Sequence, residues 1–383
     1  MKNFNSKNVH LSLRELVIPF KVSFKHASAE RSVTESVLVE AKTSDGEVGY
    51  GESCPRSYVT GETVSSVKAF FSQHQKDIEK KITDIEAMKE WMAKHHKKLD
   101  DNPAAWCAIE LALLDVFAKE QYVSVEQLLG LPPIDGGFTY SAVLGDSGDA
   151  VFSQQYQQYR SVGFTDFKIK LSGNLERDQR KLSVLKNDDC GKLRVRFDAN
   201  NLWQDVGEAS KYLTKLNYPF YAIEEPLVSK DIAEFAKLAE QINSKVILDE
   251  SLTSPSQMAL LEISDPNRWI INVRVSKMGG ITRSLEVVQL ARQQNIPIIV
   301  GAQVGETSLL TRAALTVANA SRDVLIAQEG AFGTFLLEDD ICQPSLMFGK
   351  GGKLEVERNK FNQSAGFGMQ VDASSFIEES ELC

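Results

Sequence analysis

The chain has 383 residues, of which 43% are hydrophobic and 25% charged, an ordinary mixture for a soluble globular protein. This length exceeds one ordinary compact core and suits two domains, or a barrel with an attachment. The net charge of −9 argues against nucleic acid as a partner, because phosphate binding needs a positive surface.

Targeting signals and metal-binding cysteines are not evident in the sequence. No run approaches the roughly 20 apolar residues of a membrane helix, so no membrane partner is expected. Residues 1–16 lack the apolar core of a secretory signal, which predicts a cytoplasmic protein. The five cysteines form no CxxC or Cys/His cluster, which argues against zinc and against a disulfide framework. All five histidines precede residue 97, so the second half works without histidine.

The first part of the chain has strand patterning. Residues 8–53 alternate apolar and polar side chains, with Ser44-Asp45-Gly46 as a hairpin turn. Within them, residues 23–31 show neither strand nor helix pattern and are expected to form a mobile loop. Residues 54–63 are predicted to be a second loop that ends in a helix cap.

Helical periodicity follows at residues 62–78, 84–98 and 104–121. The third helix is apolar nearly all round and should be buried. Strands followed by helices, without alternation, indicate an α+β domain. Prolines and glycines around residue 133 mark its boundary, so we predict a first domain over residues 1–133.

From residue 138 the pattern changes to alternating strands and helices. The predicted helices include 174–187, 231–242 and 280–294. The predicted strands are 139–144, 165–170, 193–198, 220–224, 245–249, 270–275, 296–300 and 324–329. Strand ends recur every 25 to 29 residues, as eight β/α units of a (β/α)₈ barrel over residues 134–336 require. An open doubly wound α/β sheet is the alternative. The tail, residues 337–383, is expected to leave the barrel and pack back over the first domain.

Three acidic residues, Asp198, Glu224 and Asp249, each end a short apolar run. The carboxyl ends of barrel strands meet at one face, which carries the chemistry of such folds. Three carboxylates there predict a site for Mg²⁺, with Mn²⁺ as a possible substitute. The alternative is that each acid caps the helix that follows it. The neighbouring positions expected to support these ligands are Asn200, Glu225 and Glu250.

Two lysines precede the acids, in Phe167-Lys-Ile-Lys170. Strand alternation puts Lys168 and Lys170 on one face, which in a barrel is the interior. Buried lysines are costly unless they are paired with carboxylates or used for chemistry. A lysine next to a cation and another lysine has a lowered pKa, which suits a base. The alternative is a pair of solvated lysines at a strand end.

These motifs resemble the enolase superfamily, and within it the muconate lactonizing enzyme subgroup, which includes dipeptide epimerases. The resemblance covers essentially the whole chain and rests on Phe-Lys-Ile-Lys, Phe-Asp-Ala-Asn, Glu-Glu-Pro, Leu-Asp-Glu-Ser and Ser-Lys-Met-Gly-Gly-Ile, in that order. It implies a modified (β/α)₈ barrel, an N-terminal α+β capping domain completed by the C-terminal tail, and a homo-oligomer. The lack of histidine in the barrel excludes the mandelate racemase type.

The resemblance also implies a first chemical step. Mg²⁺ and the lysines bind the carboxylate of a small-molecule substrate, a base removes the proton alpha to it, and the metal stabilises the enediolate. By position, Lys170 is the base and Lys168 assists it. The loops at 23–31 and 54–63 would close over the substrate, and their candidate contacts are His26, Arg31 and Tyr58.

The sixth strand departs from the subgroup, because Arg274 stands where a second catalytic lysine is usual. Arginine is almost always protonated, so it is a poor acid or base but a good carboxylate clamp. This puts a two-base racemisation in question and leaves open a reaction with Lys170 as the one base and Arg274 as its electrostatic partner. Lys277 is a candidate second base, although strand alternation places it nearer the loop.

The eighth strand departs as well. Dipeptide epimerases have Asp-x-Asp there and bind the substrate's ammonium group with it, whereas this chain has the single acid Glu329. Gln303 and Glu306, after the seventh strand, are further candidate substrate contacts.

Three functional hypotheses follow from these residues. The first is a racemase or epimerase of an amino-acid derivative or dipeptide. The second is a one-base cycloisomerase, dehydratase or other syn-eliminating lyase. The third is a catalytically silent metal-binding barrel, against which the buried lysine pair argues.

Overall fold

The structure is a computed structural model that describes residues 9–26, 29–188, 193–228, 231–263, 265–356, 361 and 363–376. Its first layer is an antiparallel sheet in the order β1-β4-β5. The strands are β1 (Val9–Leu16), β4 (Ser36–Thr43) and β5 (Val48–Ser53). The predicted turn joins β4 to β5, and Gly46 adopts the positive φ of 95° that such a turn needs.

A second pair of strands, β2 (Pro19–His26) and β3 (Ala29–Val33), forms an antiparallel hairpin. The prediction that residues 23–31 lack strand structure is therefore wrong. The signal starts upstream of that segment, because apolar residues alternate with polar ones from Phe20 onward. The backbone of β2 is anchored to the barrel: the Lys21 amide donates to the Leu336 carbonyl at 2.8 Å.

Helices cover one face of the first sheet. They are α1 (Val64–Lys81), α2 (Ile85–Asp101), α3 (Pro103–Glu120) and α4 (Val125–Leu129). Helix α3 is buried on all sides from Pro103 to Ala118, as its apolar sequence predicts. Two glycines of β5 allow its close approach, since a Cβ atom at Gly49 or Gly51 would collide with the α3 backbone.

The second half is an eight-stranded parallel sheet with its strands in chain order, β7 to β14. Its strands are β7 (Ala142–Leu144), β8 (Asp166–Lys170), β9 (Arg194–Asp198), β10 (Ala222–Glu224), β11 (Lys245–Leu248), β12 (Trp269–Arg274), β13 (Ile298–Gly301) and β14 (Leu325–Gln328). A parallel bridge between Tyr140 and Gln328 joins the first edge to the last and closes a barrel. This confirms the barrel, because an open doubly wound sheet reverses its strand order.

The barrel helices lie between the strands and cover the sheet. They are α5 (Asp149–Ser161), α6 (Leu175–Lys186), α7 (Val206–Leu216), α8 (Ile232–Gln241), α9 (Val275–Met278), α10 (Ile281–Gln293) and α11 (Ser308–Ala320). After β11 the chain forms a 3₁₀ helix over Pro255–Ile263. Inside the barrel, one apolar cluster contains Ala222, Ile247, Ile270, Ile299 and Ala327.

The predicted strand 139–144 is divided between two sheets. β6 (Gly136–Thr139) pairs antiparallel with β16 (Lys353–Val356) outside the barrel, whereas β7 belongs to it. Two further short strands, β15 (Cys342–Gln343) and β17 (Gln370–Val371), pair with each other in the tail.

The tail contacts the N-terminal helices through one buried cluster, which we call the Arg312 cluster. Arg312 of α11 makes two hydrogen bonds of 2.9 Å to the carboxylate of Glu126 in α4. Its guanidinium also lies over the rings of Phe361 and Phe367, at 4.8 and 5.6 Å from their centroids. One side chain thus joins the first part of the chain, the barrel and the tail.

Two buried glutamates of the N-terminal part bind helix starts in the barrel. Glu52 of β5 accepts hydrogen bonds from the amide and hydroxyl of Thr307, at the start of α11. Glu110 of α3 accepts from the amide of Thr282, in the first turn of α10. The carboxyl oxygens thus satisfy N–H groups at the helix start that have no partner within the helix. Across the described residues, no helix is long and apolar enough to cross a membrane.

Candidate active site

The three predicted acids meet at the carboxyl end of the barrel. Asp198 ends β9, Glu224 ends β10, and Asp249 directly follows β11. The parallel register pairs Glu224 with Asp198. All three side chains are buried. The end of the sheet therefore carries a concentrated negative charge away from solvent.

Lys168 is held within this acidic group. Its ammonium lies 3.2 Å from Glu224 Oε2, 2.5 Å from Glu329 Oε2 and 3.9 Å from Asp198 Oδ2. Burial by itself would lower the pKa of Lys168, but the three carboxylates outweigh burial and raise it. Lys168 therefore acts as a fixed positive charge.

Lys170 has different surroundings, although it lies on the same face of β8. Its Nζ donates to Asn200 Oδ1 at 3.1 Å and stands 3.7 Å from Asp198 Oδ2. Burial lowers the pKa of Lys170, Asp198 opposes this, and the nearby Lys168 ammonium lowers it further. The direction is the one expected for a lysine that can act as a base.

Arg274, at the end of β12, faces the acids from the other side. Its guanidinium forms a close ion pair with Asp249 and lies 3.7 Å from Glu224. Its Nη1 donates to Gln303 Oε1 at 2.9 Å. Burial would raise the pKa of Glu224, but Lys168 and Arg274 hold it at about 2, so this acid is ionised. Burial raises the pKa of Asp198.

Three residues, Glu225, Asn200 and Glu250, are predicted to support the acids. Glu225 accepts from the amides of Asp249 (2.6 Å) and Ser251 (2.8 Å), so it fixes the end of β11. The backbone amide of Asn200 donates to Asp198 Oδ1 at 3.1 Å. Burial, followed by the charge of Glu225, raises the pKa of Glu250 to about 8.

Lys277, the candidate second base, lies beyond the end of β12 and contacts the backbone around Asp249. It is fully buried in α9. Its Nζ donates to the carbonyls of Asn272, Asp249 and Leu252 at 2.6 to 3.0 Å, and to Asp249 Oδ1 at 2.9 Å. Burial, followed by the nearby charge of Arg274, lowers the pKa of Lys277 to about 7, whereas hydrogen bonds to oxygens that only accept favour its ammonium form. Lys277 therefore supports Asp249.

Glu329, a candidate substrate contact, lies in an internal ion-pair network. Its Oε2 binds Lys168, and its Oε1 lies 3.1 Å from the guanidinium of Arg196. Arg196 is fully buried on β9 and was not predicted. The signal that could have found it is the alternation that puts Arg196 on the same face as Asp198.

Asn272 is a second residue that the prediction missed. It is fully buried on β12, and its Nδ2 donates to Glu224 Oε1 at 3.1 Å. Gly301 of β13 makes room for it, because a Cβ atom there would collide with the Asn272 amide.

The remaining candidate substrate contacts are Gln303, Glu306, Arg31, Tyr58 and His26. The side-chain oxygen of Gln303 accepts from Arg274, and the backbone amide of Gln303 donates to Glu306 Oε1 at 2.6 Å. Burial raises the pKa of Glu306 to about 8. The Arg31 guanidinium lies 5.4 Å from the Tyr58 ring centroid. The side chain of His26 lies outside the described residues.

Loop 54–63 is tied to the barrel through Arg56. This buried guanidinium donates to the Thr34 carbonyl at 2.9 Å and also to the Val304 carbonyl. The N-terminal part is thereby fixed next to the loop that carries Gln303 and Glu306.

The acids suit a hard divalent cation, since carboxylate oxygens are the ligands that Mg²⁺ prefers. Within the described part of the chain, no three acidic, histidine or cysteine side chains stand close enough together to hold a metal ion as they are. Lys168 and Arg274 instead contact the carboxylate oxygens. The residue types thus fit a metal, and binding one would require these two cations to give up part of their contacts.

Two family models match the chain. Residues 8–130 match the mandelate racemase/muconate lactonizing enzyme N-terminal domain, and residues 151–375 match the enolase C-terminal domain-like model. The chain belongs to the mandelate racemase/muconate lactonizing enzyme family. It is therefore an enzyme of the enolase superfamily, of the isomerase type that its relatives represent.

Family members of known activity span nearly the same length. A hydrophobic dipeptide epimerase from Enterococcus faecalis is 28% identical over 333 residues, covering 87% of this chain and 91% of that protein. An N-succinyl-L-Arg/Lys racemase from Bacillus cereus is 24% identical over 389 residues, covering 96% of each.

Solved structures of the family share the fold. The Bacillus cereus N-succinyl Arg/Lys racemase superposes with a TM-score of 0.81 at 22% identity, covering 97% of this chain and 98% of that one. The 2-chloromuconate cycloisomerase of Rhodococcus opacus gives 0.81 at 20% identity, covering 98% and 100%. The Enterococcus faecalis dipeptide epimerase, solved with Mg and L-Leu-L-Tyr, gives 0.78 at 24% identity, covering 95% and 99%.

Proposed function

We propose that the enzyme removes the proton alpha to the carboxylate of an amino-acid derivative or dipeptide, and that it racemises or epimerises this substrate. The observation that carries the proposal is Lys170. It is a nearly buried lysine with a lowered pKa, at the end of a barrel strand, between Asp198 and the fixed charge of Lys168. The activities of the epimerase and racemase relatives support the choice of substrate class.

Asp198, Glu224 and Asp249 are the proposed ligands of Mg²⁺, which is present in structures of related dipeptide epimerases. A divalent cation at these acids supplies Lewis-acid stabilisation of the charge that develops on the substrate carboxylate. Asn272 holds Glu224 in place, Lys277 and Glu225 hold Asp249, and Asn200 holds Asp198.

Lys170, Lys168 and Arg274 have different roles in the proposed reaction. Lys170 takes the alpha proton on its neutral amine and becomes an ammonium. Inversion then requires a second donor to return a proton to the opposite face of the alpha carbon. Lys168 remains an ammonium because Glu224 and Glu329 bind it, and its charge favours the carboxylate form of the substrate near the base. Arg274 provides a guanidinium fork for a substrate oxygen, as the geometry of arginine suits.

Incubation in deuterated water with Mg²⁺ tests the proposal. A panel of N-acyl amino acids, dipeptides and hydroxy acids is incubated with the enzyme, and mass spectrometry detects deuterium at the alpha carbon. We expect exchange by the wild type, and a loss of at least about 100-fold in Lys170→Ala, the scale of general base catalysis. Lys186→Met, a lysine change at the far end of α6, is the control and should exchange normally. Equal exchange in Lys170→Ala and wild type would remove Lys170 from its role.

A second candidate function is a one-base reaction, in which Lys170 acts alone in a cycloisomerisation or a syn elimination. Arg274 favours it, because a guanidinium does not return a proton as a lysine does. Racemisation gives deuterated product of inverted configuration. The one-base reaction gives ring opening, ring closure or loss of water, or exchange without inversion. Chiral chromatography of the products from the same incubation separates the two.

A further inference from the structure

A buried ion pair lies directly behind the strand that carries Lys170. Asp178 and Lys181 are three residues apart on α6, so they share one face of that helix. Lys181 Nζ lies 3.0 Å from Asp178 Oδ1, and each side chain is only 1% exposed. We call these two residues the α6 pair. Neither touches the three acids or Arg274 in any contact described above.

The carboxylate of the α6 pair fixes the backbone just after Lys170. Asp178 accepts from the Ser172 amide at 2.9 Å and from the Ser172 hydroxyl at 2.8 Å. The Tyr212 hydroxyl of α7 donates to Asp178 Oδ2 at 2.7 Å. Three donors from the β8–α6 connection and from α7 thus hold one carboxylate.

The ammonium group of Lys181 binds residues that precede α6 in the chain. Lys181 Nζ donates to Asp146 Oδ1 at 2.6 Å, and it reaches the carbonyl of Lys170 itself at 3.4 Å. The Leu171 amide in between donates to the Asp198 carbonyl at 2.9 Å. Every residue from 170 to 172 is therefore tied by its main chain to a neighbouring element.

A buried ion pair is weak evidence for stability, because the desolvation of two charges offsets most of their attraction. Besides Asp146 and Tyr212, the α6 pair binds one short backbone segment, through the Lys170 carbonyl and the Ser172 amide. That segment is the end of β8, from which the Lys170 side chain extends to Asn200. Hydrogen bonds from the α6 pair to this segment restrict the positions that the Lys170 amine can reach.

We propose that Asp178 and Lys181 are positioning residues for Lys170, which hold the end of β8 so that the amine stays aligned with the alpha proton of the substrate. This rests on the proposed role of Lys170 as the base. A displacement of about 1 Å of a reacting group can cost about 100-fold in rate, so a modest shift of this backbone is enough to matter.

The test uses Asp178→Asn and Lys181→Met in the full-length enzyme with Mg²⁺, with Arg180→Met as matched control. Arg180 neighbours Lys181 on α6, but its ion pair with Asp149 is exposed. We expect kcat for alpha-deuterium exchange to fall about 10- to 100-fold in the α6 pair variants. KM and the Mg²⁺ affinity from calorimetry should stay within about twofold, because Glu224, Asp249 and Arg274 lie on other strands. Arg180→Met should resemble wild type. A parallel loss of Mg²⁺ affinity, or an unchanged kcat, would overturn the proposal.

Backbone amide exchange gives a readout that does not depend on any substrate. Mass spectrometry should show faster hydrogen exchange at the amides of residues 171 and 172 in both α6 pair variants and not in Arg180→Met. Unchanged exchange at these amides would contradict the positioning role even if activity fell. Faster amide exchange in an enzyme whose wild type labels no substrate would leave the backbone restraint standing and refute the proposed function alone.

Discussion

Arg274 is the residue on which the outcome of the reaction depends. Its guanidinium binds Asp249 and Gln303, and it faces Lys170 across the acids. A lysine at the same position can give up a proton, whereas arginine stays charged. Under the proposed function, the side chain at position 274 therefore decides whether a proton can be delivered from the second face.

We predict that Arg274→Lys raises the ratio of inverted product to alpha-deuterated substrate at least about tenfold, because a lysine can return a proton. The measurement is chiral chromatography with mass spectrometry after incubation in deuterated water. Arg274→Met, which has no acid, is the control and should not raise the ratio. If Arg274→Lys and Arg274→Met give the same ratio, position 274 does not control proton return.

At the scale of the element, the start of α10 depends on a glycine and a glutamate from another part of the chain. Gly280 has a φ of 99°, and no side chain of its own caps the helix. A Cβ atom at Gly280 would collide with the Glu110 carboxylate that binds this helix start. Gly130 also has a positive φ, of 68°, but has open space around its Cα.

We predict that Gly280→Ala destabilises the protein clearly more than Gly130→Ala. Gly130 is left-handed helical (φ 68°, ψ 28°), which costs an alanine about 1–2 kcal/mol. Gly280 (φ 99°, ψ −174°) lies in a region that is essentially restricted to glycine, and only Gly280→Ala also displaces a buried carboxyl group. Urea unfolding followed by circular dichroism measures the difference. Similar midpoints for the two variants would mean that Glu110 can move aside freely.

Elements and residues differed in how far the sequence could predict them. The strand ends at Asp198, Glu224 and Asp249 follow from local runs of apolar residues, and their convergence follows from barrel topology. The ion pairs of Glu329 with Lys168 and Arg196 do not follow from local sequence, because they join three strands across the barrel interior. The contacts of Lys277 depend on the turn of α9, whereas strand alternation says nothing about a residue beyond the strand. Residues 23–31 by themselves do not predict hairpin β2–β3, because the alternation of apolar and polar residues that marks β2 begins upstream, at Phe20.

At the scale of the whole molecule, buried glutamates make stability depend on pH. Burial raises the pKa of Glu52 and Glu62 to about 7 and of Glu110 to about 8. In the unfolded chain these acids ionise near pH 4.5, so between that pH and about 8 the folded state holds more protons. The stability they contribute is therefore present at low pH and is lost as the pH rises through this window.

We predict that Glu110→Gln weakens this pH dependence, since a glutamine does not titrate. Each such acid contributes a slope of up to about 1.4 kcal/mol per pH unit. The free energy of unfolding in urea, measured from pH 5 to 8, should fall less steeply in Glu110→Gln than in wild type. Parallel curves would show that Glu110 ionises normally in the folded protein.

The Arg312 cluster has a consequence for the order in which the chain can reach its final form. Glu126 is synthesised 186 residues before Arg312, and the aromatic rings over that guanidinium come later still. During translation, Glu126 has no counter-ion until α11 has been made, and the Arg312–Glu126 pair has no aromatic cover until Phe361 and Phe367 follow. A segment that is made early is thus among the last to be completed, and removing Phe361 and Phe367 would uncover a buried ion pair between the N-terminal helices and the barrel.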